Sequence, residues 1–119
     1  MKYLLLIYEN EGSFTGLSEA EQGRIFQEYT DYTSRIRKSG HYVVGEALQP
    51  VATATTVRVK NGKTLTTDGP FAETREQLGG FYMVEAKDLD EAIALAAGIP
   101  GARTGSIEVR PIMPTPLPD

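Results

Sequence analysis

The sequence contains no cysteine and only one histidine, His41, and these absences exclude several kinds of site. Without thiolates the chain cannot form disulfides, Fe–S clusters, cysteine-ligated zinc sites or a cysteine nucleophile. A single histidine also excludes a multi-histidine metal centre within one chain. We therefore expect no metal and no cofactor, so that any reaction would be a cofactor-free proton transfer, hydrolysis or isomerisation.

Positive charge and long apolar runs are scarce as well. Twelve lysines and arginines stand against sixteen aspartates and glutamates, which gives a formal net charge of -4. A broad nucleic-acid-binding surface needs an excess of cations to replace phosphate counterions, so we expect no nucleic-acid partner. The apolar run from Tyr3 to Tyr8 is too short for a signal peptide or a membrane span. We expect a cytoplasmic protein without a membrane partner.

What is present suits a single globular domain, since 40% of the 119 residues are hydrophobic and 24% are charged. Capping boxes predict two helices, over 18–40 and 88–98. Ser18 with Glu21 starts the first helix, and Asp88 with Glu91 starts the second. Strands are predicted at 2–8, 42–48, 53–60, 63–67, 80–86 and 105–110, and loops at 10–16 and 68–77. Asn61-Gly62 predicts a two-residue type I′ hairpin turn.

Apart from that hairpin, the element order is β-α-β-β-α-β, which is the ferredoxin-like arrangement. The strands at 2–8 and 80–86 carry apolar residues on both faces, which predicts that they lie at the centre of the sheet. The strand at 105–110 alternates Ile107 and Val109 with polar residues, as an edge strand does. The sequence therefore predicts an α+β, ferredoxin-like βαββαβ fold with an inserted β-hairpin.

Two helices cover only one face of such a sheet, so the second apolar face needs a cover. We infer that two subunits pack sheet to sheet as a homodimer, which forms a dimeric α+β barrel. The alternative is a monomer whose hairpin, at 53–67, folds over its own sheet. We favour the dimer because the large apolar residues of the hairpin are few, namely Val57, Val59 and Leu65.

The segment 68–81 concentrates four ionisable residues and three glycines between two strands. It reads Asp68-Gly69-Pro70-Phe71, followed by Glu73, Glu76 and Gly79-Gly80-Phe81. On these motifs, and on 45–48, 55–58 and 108–111, the chain resembles YCII-related proteins of the DGPF type. The resemblance implies a dimeric α+β barrel whose single domain covers 1–112, with a Pro-rich tail at 113–119. It also implies an enzymatic or a regulatory role beside sigma factors.

Three residues are candidates for acid/base catalysis: Asp68, Glu46 and His41. Asp68 would be a general base at a pocket mouth, although an Asp before Gly-Pro also ties a turn. Glu46 lies on a strand where burial would raise its pKa, although it could equally pair with Arg58 or Arg75. His41 has a suitable ordinary pKa, yet a histidine at a helix C-terminus also complements the helix dipole.

Four further residues are candidates for binding a substrate: Arg75, Glu73, Phe71 and Tyr82. Arg75 would anchor an anion, whereas the loop charges could equally be solvated. Phe71 and Tyr82 could equally be core residues. Two functions stay open at this point. One is a cofactor-free enzyme that acts on a small organic ligand in a pocket between sheet and helices. The other is a non-catalytic ligand-binding or regulatory module linked to sigma-factor signalling.

Overall fold

A computed structural model describes residues 1–115 of the chain, as six strands and three α-helices. The strands are β1 (Lys2–Glu9), β2 (Tyr42–Ala47), β3 (Thr55–Lys60), β4 (Lys63–Asp68), β5 (Gln77–Glu85) and β6 (Ser106–Pro111). The helices are α1 (Glu11–Thr15), α2 (Glu19–Lys38) and α3 (Leu89–Ala97). Short 3-10 turns at Val51–Thr53 and Pro100–Arg103 complete the list.

Four strands form one antiparallel sheet in the order β2-β5-β1-β6. The two strands with apolar residues on both faces, β1 and β5, lie at its centre, and β6 lies at an edge, as predicted. With α2 and α3 as the connecting helices, this order is that of the ferredoxin-like fold. The predicted α+β class and the positions of the four main strands are therefore confirmed.

The core lies between this sheet and the helices α2 and α3. Leu5, Val84 and Ile99 are its largest fully buried side chains. Tyr32 of α2 is also buried and donates a hydrogen bond to the carbonyl oxygen of Leu95 in α3 at 2.7 Å. That bond gives the buried Tyr32 hydroxyl a hydrogen-bond partner, which the core would otherwise not provide. It also links the two helices.

The predicted cap of α2 is present. The Ser18 side chain accepts from the Glu21 backbone N–H, and Glu21 reaches back to Ser18. At α3 the Asp88 side chain caps the helix, but the Glu91 carboxylate accepts from the Lys87 backbone N–H and so does not close a capping box. Local sequence therefore placed both helix starts correctly.

Two predictions differ from the structure by more than two residues. The predicted loop at 10–16 contains the helix α1, capped by the Asn10 side chain, which accepts from the backbone N–H of Ser13. A helix of five residues is too short to show an apolar period, so the sequence pattern could not reveal it. The strand predicted from Gly80 begins at Gln77, because β1 pairs with the residues on both sides of a bulge that leaves Gly79 unpaired.

The hairpin β3–β4 turns through Asn61 and Gly62, which have φ of 51° and 74° and join the paired residues Lys60 and Lys63. Both residues thus occupy the left-handed region that a two-residue type I′ turn requires. We call residues 54–75, which comprise the hairpin and the loop after it, the arm. The radius of gyration of 16.4 Å exceeds the ~13.5 Å expected for a compact chain of this length, because the arm extends away from the rest.

The arm does not fold back over the sheet. Val57, Val59 and Leu65 are 59%, 68% and 45% exposed, although Leu65 lies on the opposite hairpin face from the two valines. The structure therefore does not have the arrangement of the alternative monomer.

The sheet face away from α2 and α3, which we call the open face, is apolar at its centre. Its half-buried members from the three strands β1, β2 and β5 are Leu4, Leu6, Tyr8, Val44, Phe81 and Met83. Glu108 and Arg110 border these residues on β6, and Glu46 borders them on β2.

The last described residues continue past β6, and the backbone N–H of Ile112 donates to the carbonyl oxygen of Lys2. The predicted Pro-rich tail at 113–119 lies partly outside the described residues, which end at 115. Among the helices of residues 1–115, none has the length and apolar character needed to cross a membrane.

Candidate functional site

A cavity of about 720 Å³ lies between α1, α2 and the end of the sheet where β1 finishes and β5 begins. Its apolar wall comprises Ile7, Phe14, Ile25, Phe26, Ala47 and Leu48. Its polar lining comprises Glu9, Glu11, Tyr29, Thr33, Arg37, Gln77 and Tyr82. Apolar walls with a few convergent polar groups are typical of a small-molecule site.

Two glycines lie on the sheet side of this cavity at positions where a larger side chain would not fit. A Cβ atom on Gly45 would lie 2.7 Å from the Tyr82 ring. A Cβ atom on Gly80 would lie 2.9 Å from the Glu46 carbonyl oxygen. Neither glycine has a positive φ, so the requirement is one of space and not of backbone conformation. Close approach of β2 to β5 therefore explains why the sequence has small residues here.

The helix α1 covers the outer end of the cavity and is held from several sides. The Glu11 carboxylate accepts from the Val51 backbone N–H, and the Glu11 N–H donates to the Gln77 side chain, both at 3.0 Å. The Phe14 ring packs edge to face on Phe26 of α2, with 5.8 Å between centroids. This small helix thus joins three separate parts of the chain over the cavity.

One polar cluster in the cavity joins Glu9 with Tyr29. A Cβ atom on Gly101 would lie 2.5 Å from Glu9 Oε1 and 2.8 Å from the Tyr29 hydroxyl, so both groups occupy the space that this glycine leaves open. Thr104 donates to Glu9 Oε1 at 3.1 Å. Burial and the negative charge of Glu9 raise the pKa of Tyr29 far above its ordinary value. The phenol therefore keeps its proton at any physiological pH and can donate it in a hydrogen bond.

The second polar cluster joins Thr33 with Tyr82, whose hydroxyl oxygens are 2.7 Å apart. The Thr33 hydroxyl donates to the Tyr29 carbonyl oxygen at 2.8 Å. A threonine hydroxyl has a single proton, so Tyr82 donates in the bond between them. The Tyr82 ring also packs edge to face against Tyr32 and Tyr42, and burial raises the pKa of the Tyr82 hydroxyl. The remaining lone pairs of the Tyr82 oxygen are acceptors for a ligand.

Arg37 lines the cavity further along α2. Its guanidinium lies over the Tyr42 ring, 4.6 Å from the centroid. Within residues 1–115, no carboxylate lies within 4.0 Å of this side chain. Ile25, Tyr29, Thr33 and Arg37 follow one another at intervals of four residues, so a single stripe of α2 supplies an apolar, a phenolic, a hydroxyl and a cationic group.

Of the seven site residues predicted from the sequence, Tyr82 lies in the cavity wall. Glu46 reaches the rim, but it pairs with Phe81 in the sheet register, which places its side chain toward the open face. It is exposed, and no ion pair with Arg58 or Arg75 forms among the described residues. A role for Glu46 in catalysis stays a prediction.

His41 immediately precedes β2 and does not line the cavity, although its chain neighbour Tyr42 does. Its Nδ1 atom is 2.7 Å from the Ser39 hydroxyl, and its Nε2 atom is 3.3 Å from the Glu91 carboxylate of α3. Those contacts join the end of one helix to the start of another. The structure therefore places His41 away from the cavity lining.

The other four predicted residues are in the arm, and their side chains do not line the cavity. Asp68 ends β4 and is exposed, and its chain neighbour Gly69 has a φ of 102°. Phe71 is 75% exposed and lies under the Arg58 guanidinium at 5.1 Å. Glu73 and Arg75 are also exposed, and Arg75 contacts the cavity rim only through its carbonyl oxygen, which accepts from Asn10.

Sequence reasoning missed Glu9 and Arg37 as site residues. Glu9 comes at the end of an apolar strand, where it resembles an ordinary charged residue in solvent. Arg37 is one of three cations in the last turn of α2, where a cation ordinarily complements the helix dipole. The four-residue spacing from Tyr29 to Thr33 to Arg37 was the available signal, because it puts polar groups beside the buried stripe of α2.

No three potential metal-ligating side chains come together within residues 1–115. The polar groups of the cavity are instead hydroxyls, carboxylates, amides and one guanidinium. That set suits hydrogen bonding and proton transfer with an organic ligand.

Comparison with known structures supports the fold. The chain is similar to 5-chloro-2-hydroxyhydroquinone dehydrochlorinase (TftG) from Burkholderia phenoliruptrix AC1100, solved in complex with 2,5-dihydroxybenzoquinone. The TM-score is 0.56, with 15% sequence identity over 95% of this chain and 94% of the other. At this identity the likeness bears on the fold alone.

Comparison of sequences identifies the family. An uncharacterised protein of Rhizobium meliloti (strain 1021) is 37% identical over 114 residues, which cover 94% of this chain and 92% of that protein. The family model described as the YCII-related domain matches residues 1–116. This chain therefore belongs to the YCII-related family.

Proposed function

We propose that the protein is a cofactor-free enzyme that binds a small organic molecule in this cavity and transfers a proton within it. The observation that supports the proposal is the pair formed by Glu9 and Tyr29. A carboxylate and a phenol that keeps its proton lie side by side in a cavity with otherwise largely apolar walls. Such a pair combines a proton acceptor with a fixed hydrogen-bond donor.

In this proposal Glu9 removes a proton from a carbon or oxygen of the ligand. Negative charge then develops on the ligand, and the Tyr29 hydroxyl stabilises it by donating a hydrogen bond. Glu9, now a carboxylic acid, returns the proton to another atom of the ligand, which neutralises this charge. The same Tyr29 proton stays in place because the pKa of Tyr29 is raised. Thr104, which donates to Glu9, holds the carboxylate in position before the reaction.

Deuterium exchange tests this proposal without knowledge of the natural substrate. The first probe is 2,5-dihydroxybenzoquinone, chosen because the structural neighbour binds it. We expect the wild type to accelerate the exchange of the probe's ring hydrogens with D₂O, as followed by NMR. In this exchange a ring carbon takes up a deuteron from solvent, and the Glu9 carboxylate then removes the proton from the same carbon. Glu9→Gln should reduce the acceleration by roughly 10²- to 10⁴-fold, the usual contribution of a positioned general base.

Glu19→Gln is the matched control, since Glu19 is exposed in the first turn of α2 and does not line the cavity. It should leave the exchange rate unchanged. Equal rates for wild type and Glu9→Gln would show that Glu9 is not the base. Binding of the probe without any exchange would favour the non-catalytic ligand-binding module. The link to sigma-factor signalling stays a prediction.

We further propose that two copies form a homodimer by packing their open faces together. The central residues of this face are apolar and only half-buried within one chain, and a contiguous apolar patch of this kind is typical of a protein–protein interface. Leu6→Arg should convert a dimer to a monomer in light scattering at micromolar concentration. Val59→Arg, on the arm, is the control and should leave the mass unchanged. A wild type of monomer mass would overturn the proposal.

A further inference from the structure

We propose that Arg37 selects ligands that carry a carboxylate, so that the cavity takes a small hydroxylated ring acid. This inference rests on the proposed function, because it assigns a substrate class to the same cavity. The ring would lie against the apolar wall, the ring hydroxyl beside Glu9 and Tyr29, and the carboxylate at Arg37.

The charge distribution around Arg37 supports an anion at this position. The cavity adjoins a groove along the surface of α2, which is lined by Arg37 and Lys38 and by no carboxylate among the described residues. Arg37 has no acidic partner within 4.0 Å in the same part of the chain. An unpaired guanidinium beside a cavity binds a carboxylate through two parallel hydrogen bonds.

The position of Arg37 is also constrained. The guanidinium packs on the face of Tyr42, and the Tyr42 ring in turn packs edge to face on Tyr82 in the cavity wall. Cation–π contact of this kind restricts the rotamers of a long side chain, so less conformational entropy is lost when a ligand binds.

The spacing along α2 separates the carboxylate from the reacting end of the ligand. Tyr29 and Arg37 are eight residues apart, which is a rise of about 12 Å along the helix. Thr33 lies between them and holds the hydroxyl of Tyr82. A long side chain on a helix points toward the preceding turn, which from Arg37 is the direction of Tyr29, so the arginine side chain and a six-membered ring with one carboxylate together span this interval. Small neutral rings reach only one of the two ends.

Two probes that differ only by a carboxylate test the inference: 2,5-dihydroxybenzoate and 1,4-dihydroxybenzene. Isothermal titration calorimetry measures the binding of each to the wild type. We expect the acid to bind at least roughly tenfold more tightly, as a charge-assisted hydrogen-bonded pair provides. Added salt should weaken the binding of the acid more than that of the neutral diol.

Arg37→Gln should abolish the preference for the acid and leave the affinity for the diol unchanged. Arg35→Gln is the matched control. Arg35 lies on the same helix and is stacked on a tyrosine, Tyr32, at 5.4 Å, but it does not line the cavity. It should keep the preference. A preference that persists in Arg37→Gln, or is lost in Arg35→Gln, would overturn the inference.

The failure of this inference is distinguishable from the failure of the proposed function. Equal binding of both probes to the wild type contradicts a carboxylate site at Arg37 and leaves proton transfer by Glu9 standing. If neither probe binds, the result contradicts the use of the cavity for such ligands. It also contradicts this inference. A normal acid preference in Glu9→Gln, without exchange activity, would support both assignments.

Discussion

The cavity wall and the arm both depend on glycine, but for different reasons. At Gly45 and Gly80 the backbone is ordinary and the space is full, because neighbouring atoms lie within 3.0 Å of where a Cβ would be. At Gly62 and Gly69 the space is empty and the backbone has a positive φ of 74° or 102°. The first pair allows two strands to approach beside a cavity, whereas the second pair allows the chain to turn in solvent.

The same contrast extends to how each region is stabilised. The cavity is built on a sheet whose buried face carries fully buried residues such as Leu5 and Val84. The arm is a two-stranded sheet with nearly every side chain exposed, and such a hairpin is marginally stable by itself. Proton transfer needs groups held in place, so the rigid region is the better location for it.

The largest expected effect on the free energy of unfolding is the difference between two leucine substitutions, one in the core and one in the arm. Leu5→Ala removes a fully buried side chain and should lower the free energy of unfolding by about 2–5 kcal/mol. Leu65→Ala in the arm, where the side chain is 45% exposed, should change it by less than ~0.5 kcal/mol. Urea denaturation of both variants measures the difference. A large loss for Leu65→Ala would show that the arm is packed in solution, for example against a second copy.

The next effect on stability distinguishes a glycine that is required for space from a glycine that is required for a positive φ. Gly45→Ala should cost about 1–3 kcal/mol, because the new methyl group overlaps the Tyr82 ring. Gly62→Ala should cost about 1–2 kcal/mol, because alanine is strained at a positive φ.

Asparagine distinguishes the two causes, since it tolerates the left-handed region but is larger than alanine. Gly62→Asn should recover most of the lost stability, and Gly45→Asn should lose more. Recovery at both positions, measured by thermal unfolding, would contradict a steric requirement at Gly45.

A smaller effect concerns the tyrosines around the cavity. Burial raises the pKa values of Tyr29, Tyr32 and Tyr82 above the ordinary 10.0. Above pH ~10 the unfolded chain releases protons that the folded chain still holds, so the free energy of unfolding falls as the pH rises. Below that pH the three groups contribute no dependence. Urea midpoints at about pH 8 and about pH 11 should differ, and Tyr29→Phe should reduce the difference.

The smallest expected effect is that of Asp68→Asn. Because Asp68 is exposed at the end of β4, we expect the deuterium exchange of the probe to match that of the wild type. A rate lowered as far as in Glu9→Gln would instead support the predicted catalytic role for Asp68. In that case the arm would have to reach a cavity, and we would expect that cavity to belong to a second subunit.

The fold was largely predictable, because its signals are local. The capping residues Ser18 and Asp88 begin the two main helices, and Asn61-Gly62 turns the hairpin, through interactions within a few residues. Strand positions followed from apolar residues on one or both faces. The short helix α1 was missed because five residues present no period, and the start of β5 was missed because a bulge interrupts its pairing.

The site was less predictable, because residues distant in the chain form it. Asp68 and Phe71 belong to the most distinctive motif of the sequence, yet they are exposed in the arm. Glu9 and Tyr29 carry no motif and meet only because Gly101 leaves space between them.

The sequence by itself determined the α+β class, the helix caps, the hairpin turn and the central and edge strands, because each depends on periodicity or on contacts between near neighbours. Only the tertiary structure decided which polar groups share a cavity. That outcome depends on how α2 crosses the sheet, on a bulge at Gly79 and on how closely β2 approaches β5. Such distances are set by the packing of the whole core, which no short segment encodes.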